Sequence, residues 1–535
     1  MFGSPYDYPY PSQRRQVYAG KGMIAASSPL AVQAGIRMFA EGGNAIDAAL
    51  AAAAALSIVE PCSCGPGGDC FAIIHSGGQM YGMNSAGRSP ALFTYDEVIR
   101  QGYDKMPDLG WLPVTVPGAP AGWVSLSKRF GRLPLNVVFE PAIELSKGHP
   151  LALQPALGIK LMKEDLEKNR AKFPETSTWF DVWTPTNTAP SPGDIIAPTE
   201  LGETLRLIAQ TDGAEFYEGE IAHALEKCAV ETGGFIRAND LKQHEVHYVQ
   251  PISINYKGID VWELPPSGQG IAALLALNIV KQMNPVSRDD VDTLHFQMEA
   301  MKLAFADVAE YIADPSYMRV SVEGLLKESY AATRAALIDP ARAQTHLFGT
   351  PPKGDTSYFC CADEEGNMIS MIQSLFNHFG SGVLVPGTGM VLQNRGSCFT
   401  IRRDHPNAPA PLKYPYHTII PGFLTKDGNP LGPFGVMGGY MQPQGHLQVV
   451  TNMIDFGLNP QSALDAPRWC WQNDNRIAME PTWDPSIINA LREKGHDINI
   501  DDSFIYGRGQ IILRMDNGVL VGASEMRADG MAIGL

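Results

Sequence analysis

Residues 354–382 read G-D-T-S-Y-F-C-C-A-D-E-E-G-N-M-I-S-M-I-Q-S-L-F-N-H-F-G-S-G. Two apolar runs, 357–362 and 368–374, flank Glu365-Gly366-Asn367, so the segment reads as strand, tight turn, strand. Thr356 stands at the head of the first strand, directly after Asp355. An internal Thr hydroxyl is a weak nucleophile, and at a strand end it is ordinarily a solvated group. What surrounds it decides whether it is more than that.

Strand-like runs continue at 390–394, 418–425 and 435–438. A helix at 444–455 follows, then a hairpin of 511–516 and 519–523 about Asn517-Gly518. Toward the N-terminus, 22–28 reads as a strand and 29–40 as a helix with Ala31, Ala34, Gly35, Met38 and Phe39 on one face. Asn44 suits the N-cap of a second helix, 45–59, with Asp47 favourable in its first turn. That helix is apolar all round, which predicts burial. Runs 70–75 and 80–84 form a hairpin about Gly77-Gly78. The cluster Gly65-Pro66-Gly67-Gly68 lacks the Lys of a phosphate loop and reads as pocket lining or close backbone packing. Residues 85–290 alternate loops and helices, and a helix at 292–311 follows. Strands at both ends, helices between, no repeat and no clean linker predict one large layered α+β domain.

Composition excludes some functions. The 535 residues carry 57 acidic and 41 basic side chains, a formal charge of -16. No basic field offers itself to nucleic acid or an anionic membrane. The N-terminus has no apolar signal region and the longest apolar run is too short to span a bilayer, so a cytoplasmic protein is expected. The eight Cys read as buried thiols. Cys62, Cys64 and Cys70 have no C-x-x-C partner or His at ligand spacing, so neither a metal nor another cofactor is expected. Ser125 and Lys128 fit S-x-x-K, but its partner motifs are missing.

Ordered motifs then point one way: G-M-I-A-A-S-S-P-L-A-V-Q-A-G (22–35), E-G-G-N-A-I-D-A-A-L-A (41–51), E-A-M-K-L-A-F-A-D (299–307), A-D-P (313–315), G-D-T-S-Y-F (354–359), G-V-M-G-G (435–439) and F-G-L-N-P-Q-S-A-L-D-A-P-R (456–468). The chain resembles the gamma-glutamyltransferases. The resemblance implies a four-layer αββα sandwich of the N-terminal-nucleophile type, made as a precursor that cuts itself between Asp355 and Thr356. The products would be segments 1–355 and 356–535, intertwined in one domain as a heterodimer or a higher oligomer. A Thr at a new N-terminus gains an α-amine that accepts the hydroxyl proton, which removes the objection to Thr356 as nucleophile. The resemblance makes Gly438 and Gly439 the backbone donors to the oxyanion and Ser374 the supporting hydroxyl, with Ser357 next in the strand. The alternative for both Ser residues is a strand hydroxyl bonded to backbone.

The sequence departs from the family where glutamate is read. The family's arginine motif aligns with 84–90, placing Ala86 at the arginine position, with Arg88 two residues on. The acid that holds the α-amine becomes Cys398, the Gln of the same motif becomes Arg395, an Asn becomes Phe376, and a Ser-Ser pair becomes His417-Thr418. A neutral thiol cannot offset an ammonium group. The pocket is therefore expected to take an anionic acyl group without an α-amine, with Arg395 or Arg88 pairing its carboxylate and Ser357, His417 and Thr418 nearby. This looks like the branch of oxamate amidohydrolases and related acylases. A surface ion pair is the other explanation of Arg395, and a satisfied core imidazole that of His417. A true gamma-glutamyl hydrolase or transferase and an uncut, non-catalytic binding homologue stay open at this point.

Overall fold

The computed structural model describes residues 14–345, 355–502 and 504–535, with only the backbone of Asp355 and Phe504. Most of the Pro/Tyr-rich start and of the loop before Asp355 lies outside these residues.

Two antiparallel seven-stranded sheets face one another. One runs Met531–Gly534, Gly22–Ala26, Asp355–Asp363, Met368–Phe376, Asp69–Ser76, Gln79–Ser85, His247–Val249. The other runs Val17–Ala19, Leu520–Ser524, Arg508–Arg514, Asn429–Met437, Gly422–Lys426, Ile259–Glu263, Ile252–Tyr256. Side chains alternate across each strand. Tyr358, Cys360 and Ala362 point between the sheets with Phe423, Met437 and Ile512. Phe359 and Cys361 point outward under the helices of the N-terminal half. A third core packs Gly270–Val280, Val291–Tyr311 and Met441–Ile454 on the opposite face, against Val261, Phe434 and Val436. The layers are therefore helix, sheet, sheet, helix.

The Ala45–Val59 helix has the predicted bounds and every residue is buried. Asn44 and Asp47 close its start as a capping box. Gly35 lets the preceding helix approach: a Cβ there would lie 2.9 Å from the Ala48 carbonyl. The turn at Gly366 (φ 87°) joins Asp355–Asp363 to Met368–Phe376 as expected.

Other expectations fail for physical reasons. Residues 85–290 also hold the strands His247–Val249, Ile252–Tyr256 and Ile259–Glu263. The 390–394 strand shrinks to Met390–Val391. The 418–425 strand begins only at Gly422, because side-chain amides take its backbone groups: Gln269 Nε2 donates to the Thr418 carbonyl (2.6 Å) and Ile420 N–H donates to Gln442 Oε1 (3.0 Å). The 444–455 helix starts earlier, at Met441, with Pro443 in its first turn, where its missing N–H costs nothing. Among the described residues no helix is long and apolar enough to cross a membrane.

Candidate active site

Thr356 sits at the inner edge of its strand, fully buried. By alternation it shares the inter-sheet face with Tyr358, and Ser374 does the same on the neighbouring strand. Their hydroxyl oxygens lie 3.3 Å apart. Ser374 Oγ also accepts the Phe376 N–H at 2.8 Å. The Gly-rich loop packs behind it: a Cβ on Gly68 would stand 2.3 Å from the Ser374 carbonyl oxygen, so close backbone packing is that cluster's role.

Ser357 faces the other way. Its hydroxyl donates to Glu60 Oε2 (2.9 Å), which also accepts from Ser27 (2.8 Å). Glu60 caps the end of the buried Ala-rich helix, so this contact ties the strand start to that helix rather than to backbone.

Gly438 and Gly439 follow the Asn429–Met437 strand at φ 128° and 57°, left-handed values that suit glycine. They lead into the N-terminus of Met441–Ile454, whose dipole favours negative charge there. Gly438 opens on a cavity of about 70 Å³ lined also by Glu60, Ser63, His378 and Arg508. Gln269 Nε2 bridges the Gly439 and Thr418 carbonyls (2.8 and 2.6 Å), so one amide couples the glycine turn to the 417–418 segment.

Arg395 is fully buried, which overturns the surface ion-pair explanation. Its Nη1 donates to Thr418 Oγ1 (2.6 Å), and its guanidinium lies 4.3 Å from the Phe376 ring centroid. Phe376 holds an unusual φ of 82° for an aromatic residue. Nε and Nη2 of Arg395 have no hydrogen-bond partner among the described residues. Burial pushes the guanidinium's pKa down, and neighbouring Cys398 and Asp69 push it back up.

His417 is neutral, its pKa held well below the usual range by burial and by Arg395. Its Nδ1 accepts from Ile419 N–H (3.4 Å), so Nε2 carries the proton and donates to Asp69 Oδ2 (3.0 Å). This is the satisfied imidazole. Asp69 Oδ1 accepts from Gly87 N–H, Gly118 N–H and Gln393 Nε2. Burial pushes Asp69 up to about 7, against the pull of Arg395.

Arg88 does not join this group. It is exposed, and its guanidinium rests 4.8 Å from the Tyr414 ring centroid. Asp69, Glu60, Gln269 and Gln442 were not picked out from the sequence. Their partners are remote, 348 positions away for Asp69 and His417, and a spacing that long leaves no local signal. The eight Cys are buried and none forms a disulfide. Among the described residues one group has metal-ligand proximity, His295, Glu299 and His496. There the Lys302 ammonium, 2.6 Å from Glu299, already supplies the cation.

The gamma-glutamyltranspeptidase family model matches residues 31–535. A glutathione hydrolase-like YwrD proenzyme of Bacillus subtilis is 32% identical over 97% of this chain and 100% of its own. An oxamate amidohydrolase proenzyme of Klebsiella pneumoniae is 33% identical over 96% and 98%. The crystal structure of a cephalosporin acylase from Bacillus halodurans superimposes with TM-score 0.95 at 47% identity, covering 100% of this chain and 99% of that one. The chain belongs to the gamma-glutamyltranspeptidase family.

It is accordingly an enzyme with the N-terminal-nucleophile hydrolase fold, and the family implies a Thr nucleophile. Within this gamma-glutamyltranspeptidase-family chain, the thiol at the acid's position stays protonated near neutrality. Burial raises Cys398 to about 11 although Arg395 opposes it.

Proposed function

We propose that the chain cuts itself between Asp355 and Thr356 and then hydrolyses the amide bond of a small carboxylate-bearing substrate, oxamate-like by preference. The observation that carries the substrate class is Arg395: a buried guanidinium with two nitrogens lacking a hydrogen-bond partner among the described residues, stacked on Phe376, which pairs with Asp355 across the strands. A buried cation of this kind calls for an anionic partner.

In this reading Thr356 Oγ1 attacks the amide carbonyl and its proton passes to the α-amine freed by cleavage. The Gly438 and Gly439 N–H groups hold the oxyanion. The amine leaves with that proton, and water then releases the acid from the Thr356 ester. Segments 1–355 and 356–535 stay together as a heterodimer, because their strands share both sheets. Relatives named as proenzymes support this processing. The likeness to a cephalosporin acylase supports a second substrate reading, an amide with a larger leaving amine. Gamma-glutamyl amides fit less well, since neither Cys398 nor Phe376 offers charge to an ammonium group.

A denaturing gel tests the scheme. Two bands are expected, the smaller beginning Thr356-Ser357-Tyr358, while Thr356→Ala stays single near 58.1 kDa and inactive. The purified protein should turn over oxamate faster than gamma-glutamyl-4-nitroanilide. Efficient gamma-glutamyl release with transfer to a dipeptide would overturn the substrate assignment.

A further inference from the structure

Gln442 is fully buried in the first turn of Met441–Ile454. Its amide has a fixed orientation. Oε1 accepts the Ile420 N–H at 3.0 Å, so Nε2 faces Thr356 Oγ1, 3.3 Å away. An amide nitrogen can only donate. The nucleophilic oxygen therefore receives an N–H from a group that the scheme above does not use. Gln442 is also tied to the glycine turn, since its backbone N–H donates to the Gly439 carbonyl (3.2 Å). The donor and the glycine turn thus keep a fixed relation.

A donor on Oγ1 does not help that oxygen attack. It draws density from the lone pair that must form the new bond. The same contact is useful in the opposite step, when the bond from carbonyl carbon to Oγ1 breaks and the electron pair returns to Oγ1. A hydrogen bond that strengthens as charge gathers on its acceptor lowers the barrier selectively.

We propose that Gln442 is a catalytic residue whose Nε2–H stabilises Thr356 Oγ1 as the leaving oxygen in ester breakdown. The proposal rests on the reading of Thr356 as nucleophile. It covers two esters. In self-cleavage, Oγ1 adds to the carbonyl of residue 355, the C–N bond breaks, and the hydroxyl proton ends on the new amine. Water then adds to that ester and gives a proton to the amine. The C–Oγ1 bond breaks with its pair going to Oγ1, the ammonium proton restores the hydroxyl, and segment 1–355 leaves as a carboxylic acid. The acyl-enzyme formed on an amide substrate breaks down by the same steps.

Self-cleavage is the better assay because it needs no added substrate. Freshly translated full-length protein is followed on a denaturing gel, with and without hydroxylamine, which cleaves esters and leaves amides intact. Two variants are compared with the native chain. Gln442→Met removes donor and acceptor at similar length, and Gln442→Glu keeps an acceptor for Ile420 while its carboxylate offers no donor. Both should convert ~10–100-fold more slowly, at or below the ~100–1000-fold that one preorganised donor supplies, as befits a 3.3 Å contact. Hydroxylamine should restore most of the rate, because the ester accumulates. Conversion at the native rate in Gln442→Glu overturns the proposal. So does slow conversion that hydroxylamine leaves unchanged, which would place the defect before the ester. A native chain that stays whole, or a Thr356→Ala chain that cleaves normally, removes the nucleophile reading itself, and with it the role of Gln442.

Discussion

Two sets of groups converge near Thr356, and they are held differently. On the chemical side the parts, apart from the proposed Gln442 donor, belong to backbone or lie on adjacent strands. Ser374 sits across one strand pairing, Phe376 N–H fixes its hydroxyl, and the glycine turn is continuous with a central strand. On the side proposed to read the substrate carboxylate, the parts are long side chains met from distant points of the chain. Arg395 leans on Thr418 and Phe376, His417 leans on Asp69, and Asp69 on Gln393 and two backbone N–H groups. Backbone-held groups keep their places when neighbouring side chains change. Side-chain networks are rebuilt one substitution at a time. A family can therefore exchange substrates while its chemistry stays in place.

The sharpest way to break this comparison is Arg395→Met. It removes the buried guanidinium and leaves strands and glycine turn alone. Loss of one partner from a buried charged contact costs several kcal/mol, so kcat/KM on a carboxylate-bearing amide should fall ~100-fold or more. Self-cleavage, which brings no free carboxylate substrate, should continue within about threefold of normal on the same argument. Steady-state kinetics beside a gel time course read both. If cleavage stops as well, the two sides are not separable.

Asp69→Asn should have a smaller effect with a pH signature. The native carboxylate, raised to about 7 by burial, protonates as pH falls through that value. It then loses an acceptor that His417 Nε2–H needs, and Arg395 loses its nearby negative charge. The native kcat/KM should drop below about pH 7, and Asp69→Asn should be ~10-fold weaker above it with that inflection gone. The stability effect has the opposite sense. The folded pKa lies above the unfolded one, so between about pH 4 and 7 the folded chain holds a proton that the unfolded chain has lost. This group's contribution is fully present below about pH 4 and is lost as pH rises through about 7. A denaturant titration across that range should show less fall with pH in the Asn variant.

What could be read in advance follows the same division. The capped, apolar 45–59 helix and the 354–382 hairpin are written in local spacing, so their bounds and partners come close to the observed ones. The Ile252–Tyr256 and Ile259–Glu263 hairpin carries a local signal too, a Lys257-Gly258 turn, but helices and Pro-rich loops on either side mask it. Thr418–Ile420 misleads for a different reason. Its apolar pattern suits a strand, yet Gln269 and Gln442 compete for its backbone groups, and both come from other parts of the chain. Arg395 was legible as a departure from a motif, but its burial was not. That depends on Asp69, Phe376 and Thr418 arriving together.

Ser357→Ala is the mildest test and the most specific to the backbone-held side. Ser357 touches the nucleophile only through the peptide link, and its hydroxyl shares Glu60 Oε2 with Ser27. Removing it leaves the carboxylate with the Ser27 donor, so the full cost of an orphaned buried charge does not arise. A charge-assisted hydrogen bond of this kind contributes ~1.5–3 kcal/mol, to be measured by denaturant unfolding. Activity should stay within about threefold, since the strand's ladder, not this contact, positions Thr356. A much larger loss of self-cleavage with little loss of stability would show that Glu60 governs the nucleophile through Ser357. The chemical side would then depend on a side-chain relay after all, and the contrast with the Arg395 side would fail at its firmest point.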